Sequence, residues 1–337
     1  MSLTAEALRH QATELGFDVV AFAHADEPLT LDHARYEDFI AVGRHGEMSY
    51  LADHVEARRR LDHDAILPGA RTVICLARRY DRDDSTDPPL AKRIARYARG
   101  QDYHGFLRKR LGRLAATLRQ AGHDARALCD TAPVLERAWA ARAGLGFVGK
   151  NGLLIIPGQG SFCLLGEVVT TLALAPGAYG TPAGERCGSC RACLDACPTD
   201  AFVAPFVLEP RRCVAYWTIE SRTAPPPELH AAIGEHLFGC DLCQDACPYN
   251  RLPPPPPTRT APFAPHPRWA TLTPDALVDP AVFTRATQGS PLRRATPAGL
   301  ARNALLLLRH DPATVAAARE HPDPMVATLA DHLSEEP

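Results

Sequence analysis

The sequence predicts an α+β protein in three parts: an N-terminal α/β domain over residues 1–180, a cysteine-rich module over residues 181–252 and a helical region over residues 258–337. Three observations predict this arrangement. Short β-rich runs alternate with amphipathic helical patterns up to about residue 180, and eight cysteines follow between residues 187 and 247. Five consecutive prolines at residues 253–257 then mark a boundary, because proline can neither continue a helix nor join a central strand.

The elements of the first part follow from apolar spacing. A helix is predicted over residues 4–16 and strands over 17–23 and 71–77. A helix over 103–121 is expected because four leucines share one face, namely Leu107, Leu111, Leu114 and Leu118. A helix over 133–143 would begin at a proline, which suits a first turn, and residues 152–156 and 162–174 are expected to form a hairpin. In the last part, helices over 297–310 and 312–333 resemble one unit of a helical repeat.

The cysteine spacing carries the most chemistry. It is Cys187-x2-Cys190-x2-Cys193-x3-Cys197-Pro198, then Cys213, then Cys240-x2-Cys243-x3-Cys247-Pro248. In two-cluster iron–sulfur proteins a run of three cysteines binds one cluster, and the cysteine before proline ligates the other. We therefore expect two [4Fe–4S] clusters with crossed ligand sets: Cys187, Cys190, Cys193 and Cys247 for the first, and Cys197, Cys213, Cys240 and Cys243 for the second.

Two other uses of these cysteines are weighed against the clusters. Tetrahedral zinc sites also use pairs of cysteines, but they require neither a third cysteine in the run nor the Cys-Pro ending. Disulfides need an oxidising compartment, whereas the chain shows no secretion signal and is expected in the cytoplasm. No run of 18 apolar residues is present, so no contact with a membrane is expected.

Composition limits the remaining classes. A chain of 337 residues with 46% hydrophobic residues can hold two or three domains. The net charge of −2 conceals basic clusters within residues 92–113 and 293–302, which suit a polyanion, although most charged runs are solvated faces. Residues 144–150 match a dinucleotide loop, but the predicted order is helix before and strand after, the reverse of what that loop requires. The glycine-rich turn can still line a pocket.

Several motifs together resemble the epoxyqueuosine reductase family. They are Asp-Thr-Ala-Pro-Val-Leu-Glu-Arg at residues 130–137, Gly-Phe-Val-Gly-Lys-Asn at 146–151, Ala-Tyr-Trp-Thr-Ile-Glu at 215–220 and the eight cysteines. The resemblance extends from His-Gly-Glu-Met-Ser-Tyr at 45–50 to Ser-Pro-Leu-Arg-Arg at 290–294, so it covers most of the chain.

The resemblance implies an oxidoreductase that reduces epoxyqueuosine to queuosine at the wobble position of tRNA anticodons, the final step of queuosine biosynthesis. It implies base-off cobalamin in the N-terminal domain, which in this family is related to reductive dehalogenases, and a bacterial-ferredoxin-like module with two [4Fe–4S] clusters. The C-terminal part would be a short HEAT-like helical region that helps to hold the tRNA. A low-potential electron donor is expected as partner, and the chain is expected to be a monomer. The corrinoid motif D-x-H-x-x-G is absent here as in the family, which fits a base-off cofactor without a histidine ligand.

By the same resemblance, Asp130 is expected to donate the proton that the epoxide oxygen needs. Apolar neighbours would raise the pKa of Asp130, whereas the dipole of the following helix would lower it. The alternative role for Asp130 is an N-terminal helix cap, which is common for an aspartate before a helix.

The other site residues are expected from the resemblance too. Candidates for substrate or cofactor contact are Tyr97, Tyr103, His104, Lys150, Asn151, Ala215, Tyr216 and Thr218. For Tyr97, Tyr103 and His104, ordinary packing at a helix start is the alternative. Candidates for contacts with tRNA phosphates are Arg293, Arg294 and Arg302.

Two further functions stay open beside the reductase. One is a reductive dehalogenase with the same cofactors. The missing twin-arginine signal speaks against an exported enzyme of this kind. The other is a plain electron carrier, which would not need about 180 residues ahead of its clusters.

Overall fold

The structure is a computed structural model that describes residues 3–81, 84–253, 255 and 261–335. Its strands are β1 (Val19–His24), β2 (Thr72–Arg79), β3 (Ala125–Leu128), β4 (Phe147–Val148), β5 (Leu154–Ile155), β6 (Cys163–Thr170), β7 (Phe202–Ala204) and β8 (Val207–Leu208). Four of them form one sheet in the order β1-β2-β6-β3, and every neighbouring pair in it is antiparallel.

The helices of the first part are α1 (Ala5–Glu14), α2 (Thr30–Ala41), α3 (Pro89–Lys92), α4 (Tyr103–Gln120) and α5 (Glu136–Arg142). Those of the cysteine-rich part are α6 (Ala192–Asp195), α7 (Val214–Ile219), α8 (His230–Ile233) and α9 (Leu242–Asp245). The C-terminal helices are α10 (Pro280–Thr287), α11 (Thr296–Leu307), α12 (Pro312–Ala318) and α13 (Pro324–Glu335). No helix within the described ranges is long and apolar enough to cross a bilayer.

Helix α4 covers one face of the sheet together with α1, and its predicted span is confirmed to within one residue. The four leucines at positions 107, 111, 114 and 118 are fully buried there. Gly166 in β6 allows the close approach, since a Cβ at this position would lie 2.6 Å from Leu111. The N-terminus of α4 is capped by Asp102, whose carboxylate accepts the backbone N–H of His104 at 2.9 Å. The sheet and this cap together fix where His104 lies.

Helix α5 packs on the opposite face of the sheet through Trp139 and Ala140. It begins at Glu136, three residues later than predicted, because residues 129–134 form turns instead. The N-cap position is Leu135, which makes no side-chain capping bond. Asp130 is therefore not the cap of this helix.

Two predictions about pairing and helix length are wrong. The expected hairpin does not form: β5 pairs with β4, while β6 lies inside the sheet between β2 and β3. The helix predicted over residues 312–333 is broken into α12 and α13, because Pro322 and Pro324 interrupt it. The proline run at 253–257 lies mostly outside the described residues.

The segment between Cys213 and Cys240 forms α7 and α8. Helix α11 holds this segment in place, since the side-chain amide of Asn303 donates to the backbone oxygens of Thr218 at 2.8 Å and Leu237 at 2.9 Å. The C-terminal part thus supports the cysteine-rich part directly.

Candidate functional site

Asp130 lies in the turn that follows β3, with a left-handed backbone conformation of φ +59°. Such a conformation is uncommon for residues other than glycine, although aspartate tolerates it better than most. The side chain is 55% exposed, and its Oδ2 lies 2.9 Å from Nε2 of His104. Asp130 is therefore presented to an open face with one side held by histidine.

His104 connects Asp130 to a second carboxylate. Its Nδ1 lies 2.6 Å from Oδ1 of Asp102, so each ring nitrogen faces one carboxylate. The hydrogen bond to Asp102, followed by the one to Asp130, raises the pKa of His104 to about 9. At neutral pH the ring is a cation that donates from both nitrogens.

The protonated ring decides the charge of its partner. Its hydrogen bond lowers the pKa of Asp130 below the usual value, although burial acts in the opposite direction. The sequence left open whether apolar surroundings or nearby positive charge would dominate. The hydrogen bond from His104, which the argument from the helix dipole did not include, favours the ionised form of Asp130.

The aromatic residues Tyr97 and Tyr103, two candidates for substrate or cofactor contact, adjoin this pair. The ring of Tyr103 stacks on His104 with centroids 4.1 Å apart, and Tyr97 meets Tyr103 edge-on at 5.9 Å. Burial raises the pKa of both tyrosines, so their hydroxyls stay protonated. They lie beside the acid, where a hydrogen bond from the Tyr103 hydroxyl also helps to lower the pKa of Asp130, and they also pack at the helix start.

Arg294 lies on the open side of Asp130. It pairs with Glu220 at 2.7 Å, and its guanidinium lies 5.1 Å from the ring centroid of Tyr50, which is 44% exposed. The positive charge of Arg294 also contributes to the lowered pKa of Asp130. Glu220 and Tyr50 were not among the predicted site residues, although both belong to motifs that carry the resemblance.

Arg302 is not available to tRNA, which corrects the expectation for this residue. It is 1% exposed, and its guanidinium donates to the backbone oxygens of Ser221, Thr223 and Trp217. Burial lowers its pKa to about 10. Arg302 fastens α11 to the segment after α7, whereas Arg293 is exposed and stays a candidate for phosphate contact.

The segment at residues 45–50 is attached to α7 through Glu47. Its carboxylate accepts from the hydroxyl of Ser221 and from the backbone N–H of Arg222, both at 2.7 Å, and its own N–H donates to the hydroxyl of Tyr216 at 3.0 Å. Tyr216 is thus buried and engaged with this segment. This attachment brings Tyr50 to the open face.

The thiols of the eight spaced cysteines fall into two neighbourhoods. Burial is the largest cause of the raised pKa of Cys193, and the nearby thiols of Cys247 and Cys190 raise it further. The thiol of Cys193 in turn raises the pKa of Cys187. Around Cys240, whose pKa burial raises to about 12, the contributing thiols are Cys213 and Cys197. The pKa of Cys243 is raised by the thiols of Cys240 and Cys213 in the same group, and also by the thiol of Cys193 in the other group. These neighbourhoods coincide with the crossed sets that the spacing predicts.

The second set surrounds a cavity of about 40 Å³, lined by Cys197, Cys213, Cys240 and Cys243. In the described part of the chain no three His, Cys, Asp or Glu side chains converge closely enough to hold a single metal ion. A cluster of several iron atoms needs such a space between its thiolates. Cys190 of the first set is exposed, whereas the other seven spaced cysteines are half-buried or buried.

Lys150 and Asn151, two of the candidates for substrate or cofactor contact, lie beside the cysteine-rich part. The Lys150 ammonium donates to the backbone oxygens of Gly188 and Cys190, and the Asn151 amide lies 3.5 Å from the backbone oxygen of Cys243. Both side chains therefore contact the cysteine loops rather than the face beside Asp130. Thr218 is buried and bonded within α7 and to the N–H of Gly239.

Two family models match the chain. One, described as epoxyqueuosine reductase QueG, DUF1730, matches residues 60–131, and the other, a 4Fe-4S double cluster binding domain, matches residues 186–250. An epoxyqueuosine reductase of Gloeobacter violaceus is 42% identical over 319 residues, which cover 90% of this chain and 95% of that protein.

Two solved structures are similar over nearly the whole chain. Epoxyqueuosine reductase with a tRNA-Tyr epoxyqueuosine-modified tRNA stem loop has a TM-score of 0.87 at 28% identity, and the match covers 97% of this chain and 88% of that one. Epoxyqueuosine reductase from Bacillus subtilis, with its catalytic loop swung out of the active site, has a TM-score of 0.85 at 28% identity with the same coverage of 97% and 88%.

Proposed function

Because the chain belongs to the epoxyqueuosine reductase family, as its motifs indicated, we propose that it reduces epoxyqueuosine to queuosine at the wobble position of tRNA. The observation that carries the proposal is Asp130, an exposed carboxylate held by a protonated His104, beside a part that matches a double-cluster domain. A reduction that expels oxygen needs both an acid and a source of electrons, and these residues can provide both.

The balance of the reaction defines what the site must do. Turning an epoxide into an alkene breaks both C–O bonds, forms a C=C bond and releases the oxygen as water, which consumes two electrons and two protons. Without an acid the oxygen would leave as an alkoxide. The first proton is therefore needed at the oxygen as the first C–O bond breaks.

His104 and Asp130 deliver that proton as a pair. His104 carries the proton on Nε2 and Asp130 Oδ2 lies 2.9 Å away, so proton transfer to the carboxylate makes Asp130 the acid at the open face. Asp102 stabilises the cation from the other ring nitrogen. The second proton and the recharging of His104 come from solvent, which reaches the exposed Asp102 and Asp130 side chains.

The cysteine neighbourhoods support two [4Fe–4S] clusters with the ligand sets that the spacing predicts. The first cluster would be bound by Cys187, Cys190, Cys193 and Cys247, and the second cluster by Cys197, Cys213, Cys240 and Cys243. The exposed Cys190 makes the first set the accessible one for an electron donor. The second set adjoins α7, whose C-terminal Glu220 faces Arg294 at the open side of Asp130.

We also propose that cobalamin binds at the open face beside Asp130. The side chains of Asp130 and Tyr50 are exposed there, and the aromatic rings of Tyr97 and Tyr103 beside them would offer flat faces to a ring system. Ala215, Tyr216 and Thr218 of α7 are half-buried or buried, so their contact with the cofactor would come through the backbone. Bound cobalamin supplies a two-electron nucleophile to the epoxide carbon, and bound clusters supply single electrons.

For the tRNA, Arg293 is the exposed candidate for a phosphate contact, and Arg294 would act closer to the modified base because it adjoins Asp130. We also propose that a low-potential donor reduces the protein and that the chain is a monomer. Its three domains would span residues 1–180, 181–252 and 258–337, and the C-terminal helices would form a HEAT-like region.

The test uses anaerobically reconstituted protein with cobalamin, a low-potential reductant and tRNA that contains epoxyqueuosine. Digestion and mass analysis of the nucleosides should show loss of one oxygen atom that depends on cobalamin. Asp130→Asn should retain iron and cobalamin yet lose conversion by about 100-fold or more, since an amide cannot pass on the proton. The matched control is Asp38→Asn on the exposed side of α2, which should convert normally.

Full conversion by Asp130→Asn would remove Asp130 from the mechanism. No conversion by the wild type, with clusters and cobalamin bound, would move the substrate toward the dehalogenase-like alternative.

A further inference from the structure

A pair of glutamates lies directly behind the Asp130 turn. Glu136 is the first residue of α5, and its Oε1 accepts the backbone N–H of Asp130 at 2.6 Å. Glu167 lies in the middle of β6, opposite Cys75 in β2 and Leu128 in β3. The reaction scheme above uses neither carboxyl group.

Glu167 is held where a carboxylate is unfavourable. It is 0% exposed, and the polar group that interacts with its carboxyl is the neighbouring carboxyl of Glu136. Burial, and then the nearby carboxyl of Glu136, raises its pKa well above the usual value. Glu167 therefore favours its protonated form, because a buried carboxylate beside a second carboxyl is strongly disfavoured.

The two carboxyls affect each other. Burial raises the pKa of Glu136 to about 7, and two adjacent carboxyls in apolar surroundings cannot both ionise readily. A protonated Glu167 can donate to Glu136, which leaves Oε1 of Glu136 free to accept from Asp130. The other titratable or charged groups around the pair are Tyr103, Cys75, Cys129, Asp130 and Arg137.

The bond from Glu136 serves the turn rather than its own helix. A glutamate in the first helical turn commonly binds backbone N–H groups of that helix, but Oε1 of Glu136 reaches back six residues to Asp130. Asp130 is the residue with the left-handed backbone, and its side chain is the one that faces His104. Without a partner for this N–H, the turn loses the contact that fixes the uncommon conformation.

We propose that Glu136, backed by Glu167, is a positioning residue that holds the Asp130 main chain in the conformation that directs its carboxylate at His104 and the open face. The inference rests on the proposed function only in that Asp130 is taken as the acid. An apolar pair would fill the same core space without the cost of burying two carboxyls, so simple packing does not account for them.

The test compares Glu136→Ala with Glu136→Gln, whose amide oxygen can still accept the N–H of Asp130. In the holoprotein without tRNA, hydrogen exchange of peptides that cover residues 128–132 should become about 10-fold to 100-fold faster in Glu136→Ala, as expected for loss of one strong hydrogen bond. Glu136→Gln should stay within about threefold of wild type. Glu6→Ala, exposed in the first turn of α1, is the control.

The kinetic readout is the split between kcat and KM. Glu136→Ala should lower kcat by about 10-fold with little change in the KM for tRNA, and Glu136→Gln should restore most of kcat. Glu167→Gln keeps a neutral donor and should retain the exchange protection of the Asp130 turn. Unchanged exchange in Glu136→Ala, equal losses in the alanine and glutamine variants, or loss of protection in Glu167→Gln would overturn the proposal.

The exchange measurement needs no turnover. If the wild type fails to reduce epoxyqueuosine, the proposed function fails, while the exchange rates still decide whether Glu136 holds the turn.

Discussion

Replacing Asp102 with asparagine tests the proton relay without touching the acid itself. The variant keeps the size of the side chain and an oxygen that can cap α4, but it removes the negative charge 2.6 Å from Nδ1 of His104. That hydrogen bond is the largest cause of the raised pKa of His104, about 9 in the wild type. Asp102→Asn should therefore make the ring lose its proton at lower pH.

The sign and size of the effect follow from the ionisation. In the wild type the proton-carrying form is complete at pH 7 and is lost as pH rises through about 9, so kcat should fall on the alkaline side. Loss of one opposite charge at hydrogen-bond distance should move that alkaline limb down by about one to two pH units. At pH 8.5 the variant should then be slower by roughly tenfold, whereas at pH 6.5 the two proteins should be nearly equal.

The assay is single-turnover conversion of epoxyqueuosine-containing tRNA by reduced holoenzyme across pH 6 to 10, in a buffer of constant ionic strength. Asp38→Asn serves again as control. An alkaline limb that stays at the same pH in Asp102→Asn would refute the assignment of the proton to His104. A uniform loss at all pH values would mean that Asp102 does not act through the charge of His104.

Three further changes test other parts of the molecule. Cys190→Ser should lower the iron content from about eight to about four atoms per chain and weaken the signal of one reduced cluster, with tRNA affinity unchanged; a full iron content would contradict its ligand role. Arg293→Ala should weaken tRNA binding and reduce its dependence on salt by about one counterion without altering single-turnover kcat; equal binding across salt would remove Arg293 from the interface. Arg302→Met should lower the free energy of unfolding by about 2–5 kcal/mol, because buried carbonyls lose their donors. The control Arg293→Met should change it by less than about 0.5 kcal/mol. Unfolding midpoints of the holoprotein measure both effects.

What the sequence could predict was set by local spacing. The leucines of α4 recur on one helical face, and the ligand runs of the cysteines lie within a few residues of each other, so both patterns are legible along the chain. The crossed use of Cys197 and Cys247 was also predicted, from the Cys-Pro ending, and it stays a prediction. The strand pairing of β6 could not, since its partners β2 and β3 are fixed by distant packing.

The partners of Asp130 illustrate the same limit. His104 and Asp130 are 26 residues apart, and no pattern joins them. One signal was available for the residue behind them: Glu167 is the single charged residue in an otherwise apolar strand, which marks a buried carboxyl. Arg302 offered a similar signal, because it lies in a mostly apolar stretch of α11 whose residues 299–306 are all buried.

In the proposed mechanism the acid is a pair of residues, His104 and Asp130, and not Asp130 alone. A carboxylate next to a histidine cation holds its proton weakly, so Asp130 alone would be ionised when the substrate arrives. The proton nevertheless lies one hydrogen bond away on His104, and negative charge developing on the epoxide oxygen favours its movement through Asp130. Titration would then report apparent pKa values of the pair, and loss of either member would remove the same function. Asp102 on one side and Glu136 on the other act on different members: the first sets the charge of the histidine, and the second sets the direction of the aspartate.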